Sequence, residues 1–600
     1  MMTREAGQGN WRASVAELLA DVSDGQRVGV CGFNFTRLPV AQILELRRHR
    51  DLTFVSWGGG LALEMLIDAG AVRATELTFS SLDFFGLAPR FRAAVESGTL
   101  QLREWTALGM IKALQARSQH LGFEVMQQVA GSEVNGQWRR PIDDPFAGDG
   151  VPQAAVPALH IDAFLLHAGR ADDAGNVEIR GARGLDLSMA FAAERVLVTV
   201  EERVRTGELG APGAFVLPRT FVSGVAIAEF GAYPTSCLPR YPADLRQIAR
   251  IVRRGREPLD GHLFRPSGPA RHRLRAIANA SSASLISAIN EAPRPGTRDR
   301  APQRDEIMAC ELARTIGRDS IATIGSASIL PAVSYLLAKL TQVPDLLMLS
   351  FNGGLVDVAW RPMTLSFAEI LDFRSAAVHA GGDETYHWYY QQGRITHEVV
   401  ATAQLDPTAA SNTIAINRAD GGIIRLPGQG GMADVANLHA HYLLYLPRHD
   451  LRTTVGRVDV RGASRTWHHP DLRRRFRLAP GRTAVFTELG EFEFDPERGS
   501  LVLTRVHPGL SVAEVRARTG WPLTVAGHLA TVTPPTDAEL WALRDQVDPL
   551  GIRRLEFAAA SQRQDLIDEV LDLEDRALTR AIELDQTTRD PNGEHELDQE

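Results

Sequence analysis

Three groups of side chains in this 600-residue chain have the types and spacing for acid–base or anion chemistry. In VTVEERV, Glu201 and Glu202 close an apolar run, and a carboxylate at a strand end can serve as a general base when partly buried. In GGDETYHWYYQQ, Asp383 and Glu384 precede His387, with Glu384 and His387 one helical turn apart. An acid–base cluster is one reading of that spacing; a solvated helix start anchored by its aromatic residues is the preferred one. In SWGGG, Gly58, Gly59 and Gly60 follow a strand and open a helix, a position suited to holding an anion on free N–H groups or to making a plain turn. His439 and His441 fall on alternate faces if NLHAHYLL is a strand, and Cys31, Cys237 and Cys310 lie far apart, so neither a metal site nor a disulfide framework is expected. The chain contains no P-loop, zincin helix or nucleophile-elbow serine pattern.

These residues must be positioned by an alternation of short strands and helices. VGVCGF, LTFVSW and ELTFSS read as strands separated by the helical spacing of LPVAQILELRRH and LALEMLIDAG, the pattern of an open, mostly parallel sheet with helices on its faces. The scheme recurs after residue 305 in SIATIG, ILPAVSYLLAKL and DLLMLSF. One pattern also occurs twice, as HAGRADDAGNVEI at 167–179 and VVATAQLDPTAASNTIAI at 399–416, which predicts two related α/β units in tandem with a site between them. The expected division is 10–253, an Arg/Pro/Gly-rich linker over 254–304 with a helix from Arg271 to Asn290, then 305–560. An amphipathic helix running into a disordered acidic tail is expected over 561–600. A net charge of −8 argues against nucleic acid as a partner, and no apolar stretch reaches membrane-spanning length, so a cytoplasmic protein is expected. Only Lys112 and Lys339 are lysines, which leaves few candidates for Schiff-base chemistry.

Many segments in order resemble the class I, glutaconate-type CoA-transferases. GFNFTRLPVAQ, LTFVSWGGGLALEMLIDAGAV, FSSLDFFGLAPRFRAAVESGTL and AERVLVTVEERV are similar to the family's α subunit. IGSASILPAVSYLLAKLTQVPDLLMLSFNGGLVD, AQLDPTAASNTIAI and LPGQGGMADVAN are similar to its β subunit. The resemblance implies an α–β fusion acting on an acyl-CoA thioester, nominally moving CoA between carboxylic acids. Coenzyme A is then a substrate moiety and no cofactor is bound permanently; two such chains could pair as a homodimer.

The family's nucleophile is a glutamate in text like VESGLMD. The matching SFNGGLVD puts Asn352 there, followed by Gly353 and Gly354, and an amide cannot form the acyl anhydride. Relatives lacking that glutamate resemble ring-opening hydrolases, which use a glutamate of the α half, or decarboxylases; of the former's carboxylates only Glu104, in LREWTALGM, is matched. Hydrolysis, carbon–carbon cleavage or decarboxylation on the same scaffold is therefore one alternative, and a non-catalytic acyl-CoA binder another. The resemblance further implies that Gly428, Gly430 and Gly431 approach the thioester or CoA, and that Ser80 and Ser81 border the acyl pocket, with helix capping as the other reading for the serines. With Asn352 orienting the thioester or a water, Glu104, Glu201 or Glu384 is the expected base.

Overall fold

The computed structural model describes residues 10–127, 131–143, 146, 153–292, 300–350, 354–466 and 470–589. Strands β1 (Arg27–Val30), β2 (Leu52–Val55), β3 (Val72–Leu77) and β4 (Gln101–Glu104) pair in sequence order and in parallel. On the other side of β1 come Ile161–Asp172, Ala193–Val204 and Gly224–Ile227, also parallel. Strand order thus reverses at β1, and the crevice beyond its carboxyl end is where open α/β sheets bind ligands. Buried apolar residues such as Phe164, Leu165, Val196 and Val198 run along the central strands because helices cover both faces.

The second half starts alike. Ile321–Thr323 pairs in parallel with Leu347–Leu349, and a parallel bridge from Ala322 to His397 leads to Val399–Ala401, Tyr442–Leu446 and Thr483–Thr487. From there the sheet becomes mixed: Gly490–Asp495 and Ser500–Val506 run antiparallel because tight turns, one using Gly499 at φ +65°, reverse the chain. Both copies of the repeated pattern are a parallel strand followed by a turn that an aspartate closes. Asp172 Oδ1 accepts the Asn176 amide at 2.9 Å, and Asp406 Oδ1 accepts those of Thr408 and Ala410 at 2.9 and 3.3 Å.

The halves are not two separate cores. One apolar cluster joins Leu46 and Phe91 to Leu336 and Phe486; another joins Trp105 and Leu166 to Val435 and Leu444. The expected single helix between them is two, Gly268–Asn279 and Ser282–Glu291, divided where the Ser281 hydroxyl accepts the Ser284 amide and caps the second. Both contact a continuous C-terminal helix, Ala560–Arg589, which extends farther than its apolar pattern because its acids are matched, as described below. The remainder of the acidic tail, 590–600, lies outside the described residues. No described helix is long and apolar enough to cross a membrane.

Candidate active site

A cavity of about 930 Å³ opens between the halves. Phe33, Trp57 and Phe79 wall it from the first half, Tyr386, Tyr390 and Glu398 from the second. Asn352 and Gly353 lie outside the described residues, but Ser350 and Gly354 on either side both line the cavity. Gly354 is required there by packing: a Cβ would meet the Ala380 carbonyl oxygen at 2.3 Å.

The loop Pro427–Gly431 enters the first half and is stitched to it by backbone groups. Ser80 N–H donates to Pro427 O at 2.8 Å, Gly430 N–H to Thr78 O at 3.0 Å, and Ala107 N–H to Gly430 O at 3.1 Å. Gly428, at φ +129°, donates to Thr413 O at 2.9 Å. These commitments correct the expected use of the Gly428 and Gly430 amides on a thioester: both are already bonded within the protein. All three glycines still line the cavity, and at Gly431 a Cβ would fall 2.5 Å from the Tyr386 hydroxyl.

Each glutamate expected as a base is engaged elsewhere. Glu104 ends β4, where its Oε2 accepts Arg425 at 2.6 Å and its Oε1 the Gln429 amide at 2.6 Å, in a pair whose side chains are both 4% exposed. It clamps the glycine loop rather than facing the cavity. Glu201 is saturated by His167 Nε2 (2.8 Å), the Tyr241 hydroxyl (2.5 Å) and the amides of Phe230 and Gly231. Burial would raise its pKa, but the hydrogen bond and charge of His167, with the other donors, bring it below the ordinary glutamate value. Glu384 accepts Arg183 at 2.5 Å and the Gly381 amide at 2.6 Å, Asp383 accepts the Ser188 hydroxyl, and His387 is exposed. That cluster ties the halves together and does not line the cavity.

Of the three glycines Gly58, Gly59 and Gly60, Gly59 serves close approach rather than anion binding, while Gly58 bridges to Phe79 and Gly60 takes a positive φ of +47°. Gly59 N–H is spent on Phe79 O at 2.9 Å, and a Cβ on Gly59 would sit 2.6 Å from Ser80 Oγ. Ser80 is buried with its hydroxyl unpartnered among the described residues; Ser81 lines the cavity, and its hydroxyl accepts the Asp83 amide at 3.4 Å. His167, Glu201 and Cys237 bring possible metal-ligand atoms within 4.8 Å of one another, a grouping their sequence separation conceals. Glu201 is already saturated there, and burial holds the Cys237 thiol well above its ordinary pKa, so the group reads as a hydrogen-bonded His167–Glu201 pair beside a buried neutral thiol.

The carboxyl that sequence reasoning missed is Glu398. It immediately precedes the strand Val399–Ala401, is 7% exposed and borders the cavity. Its Oε2 accepts the Tyr390 hydroxyl at 3.0 Å, while its Oε1 takes no hydrogen bond from the described residues. Burial lifts its pKa to about 8 against the lowering effect of Tyr390, and Asp434, itself lifted to about 7 by burial, adds to the rise. Tyr390 and Tyr386, four residues apart on one side of the π-helical segment Tyr386–Tyr390, stack with ring centroids 4.1 Å apart. Behind them His439 is buried and neutral, its pKa lowered to about 3 by burial and by Arg465 and Arg473. A signal for Glu398 was present: the first copy of the repeated pattern has Phe164 at the corresponding position, so the second places a charge where the strand is apolar.

Known proteins share this architecture. The Coenzyme A transferase profile matches residues 12–228 and 307–518. One of the two polypeptides of 3-oxoadipate CoA-transferase from Pseudomonas knackmussii is 33% identical over 38% of this chain and 81% of its own length. The other polypeptide of that enzyme is 28% identical over 40% of this chain and 91% of its own. The cholesterol ring-cleaving hydrolase IpdA subunit of Mycobacterium tuberculosis is 32% identical over 39% of this chain and 84% of its own. In fold alone, the acyl-CoA transferase YdiF of Escherichia coli O157:H7 covers 90% of this chain and 97% of its own, with a TM-score of 0.63 at 12% identity. The chain is an enzyme of the Coenzyme A transferase family, in which regions like the two separate polypeptides of its relatives are joined in one.

Proposed function

We propose that this enzyme acts on an acyl-CoA thioester seated in the cavity between its halves, and that Glu398 carries the proton transfer. The observation that supports this reading is a buried, cavity-facing carboxyl with one oxygen held by Tyr390 and a pKa of about 8. Such a group exchanges its proton within the working pH range, where general acid–base catalysis is most effective. Protonated, it can donate to the thioester oxygen or the departing thiolate; ionised, it can take a proton from water or from carbon beside the carbonyl. Asn352 cannot serve as an acyl-accepting carboxylate. Hydrolysis or carbon–carbon cleavage of an acyl-CoA is therefore the first reading, in keeping with the similarity to a ring-cleaving hydrolase subunit.

Transfer of CoA between carboxylic acids is the second reading, favoured by the family match across both halves. In that route Glu398, once ionised, attacks the thioester carbonyl and expels CoA thiolate; the thiolate then attacks the glutamyl carbonyl of the mixed anhydride, releasing the donor acid as its carboxylate and leaving a glutamyl-CoA thioester, from which the acceptor carboxylate takes CoA by the reverse steps and frees Glu398. In either route coenzyme A is part of the substrate. The test is mass spectrometry of the purified enzyme with a panel of acyl-CoAs, with and without acetate or succinate. Free CoA or a cleaved acyl chain without acceptor supports the first reading; a new acyl-CoA formed only with acceptor supports the second. Binding without turnover would refute both and leave an acyl-CoA binder.

A further inference from the structure

The C-terminal helix Ala560–Arg589 lies beyond both segments matched by the family profile, yet its first turn forms a wall of the cavity through Ala560, Arg563 and Gln564. Contacts on every side fix it there. Buried Glu574 accepts the amides of Leu365 and Ser366 from the second half. Asp575 and Asp568 pair with Arg246 and Arg253 of the first half, and Asp585 accepts the Ser281 amide at 2.9 Å from the connecting helices.

Within this well-held wall two donors find no acceptor among the described residues. Arg563 Nε and Gln564 Nε2 are buried without hydrogen-bond partners, and Arg563 makes no ion pair among the described residues. The other cavity arginine, Arg253, is matched by Asp568. Glu556 lies within electrostatic reach of Arg563, but Glu556 Oε1 already accepts the Ile329 amide and the Tyr445 hydroxyl, each at 2.8 Å. Asp83, whose pKa burial lifts to about 7, also lines the cavity but makes no ion pair with Arg563 among the described residues. An unsatisfied buried donor is unfavourable in the empty protein and becomes favourable when a ligand supplies the acceptor.

We propose that Arg563 and Gln564 bind an oxyanion of the substrate, either a carboxylate at the far end of the acyl group or a phosphate of CoA. This rests on the reading of the cavity as an acyl-CoA site. A guanidinium fork beside a carboxamide fits the paired oxygens of either anion.

Isothermal titration of the full chain with CoA, dephospho-CoA, glutaryl-CoA and pentanoyl-CoA separates the two sources, since the acyl ligands differ by one terminal carboxylate. If the acyl carboxylate is held, wild type prefers glutaryl-CoA by about tenfold or more, and Arg563→Ala abolishes the preference. If a phosphate is held, Arg563→Ala weakens CoA and both acyl-CoAs alike by a similar factor; a lost response to dephospho-CoA then marks the 3′-phosphate. Arg563→Lys, which keeps the charge and loses the fork, should fall between the two, and Gln564→Ala provides a second variant should Arg563→Ala fold poorly. Affinities for all four ligands within twofold of wild type in both alanine variants would overturn the inference while leaving the acyl-CoA reading intact. No binding of any ligand by wild type would overturn both.

Discussion

Replacing Glu398 by Gln should make the enzyme more stable and less active, and the structure sets the size and pH window of the gain. The folded-state pKa of about 8 stands against an ordinary value of 4.5. Below pH 4.5 both folded and unfolded states hold the proton, so the group contributes nothing. Between 4.5 and 8 the unfolded chain has released a proton that the folded one retains, and stability falls as pH rises. The penalty reaches about 3 kcal/mol at pH 7 and levels off above pH 8 at roughly 5 kcal/mol. Glutamine is nearly isosteric, its carbonyl can still accept from Tyr390, and it carries no such penalty. Thermal unfolding of both proteins from pH 5 to 9 should therefore show curves that nearly meet at pH 5 and diverge with rising pH, the variant melting higher. Asp83 and Asp434 bring penalties of the same sign, but these largely cancel in the comparison. Turnover should meanwhile fall by roughly 10²–10⁴-fold, the usual range for losing a general acid–base group. A variant that melts lower, or a difference that does not change with pH, would refute the claim that burial holds Glu398 protonated.

Three further outcomes follow from the same geometry. Glu104→Ala leaves buried Arg425 unpaired and the Gln429 amide without an acceptor, so it should destabilise by about 3–5 kcal/mol; a double-mutant cycle with Arg425→Ala should show strong coupling in denaturant titrations. Gly431→Ala should impair turnover through its 2.5 Å encounter with the Tyr386 hydroxyl, and Tyr386→Phe should restore part of it in steady-state assays. Glu201 contributes stability above pH 4.5 that is lost as pH falls through its lowered pKa; Glu201→Gln should therefore melt lower than wild type at pH 7, with the gap narrowing in acid.

The tandem architecture was legible because it rests on local patterns: apolar strands, periodic helices and a repeated turn whose aspartates, Asp172 and Asp406, bond their own loops. The site was less legible because its roles depend on partners distant in sequence. Nothing near Glu104 announces Arg425, and nothing near Glu201 announces Tyr241; those partners turn two candidate bases into structural clamps. Tyr386 and Tyr390 read as anchors of a solvated helix because their i, i+4 spacing shows that they share a face but not that this face borders a cavity closed by the other half. The C-terminal helix was expected from its amphipathic spacing, but its place on the cavity wall depends on aspartates meeting arginines more than 300 residues away.

Carrying both walls of the cavity on one polypeptide changes how the site responds to dilution. In a two-chain relative, halves that share a site remain together only while their concentration exceeds the dissociation constant of the pair. Here the Glu104–Arg425 clamp and the two shared cores close intramolecularly, at an effective concentration fixed by the connecting chain rather than by the cell. Production of the halves is matched one to one by translation, neither can pair with a foreign counterpart without first releasing its own, and activity per molecule should persist at enzyme concentrations where separate polypeptides would drift apart.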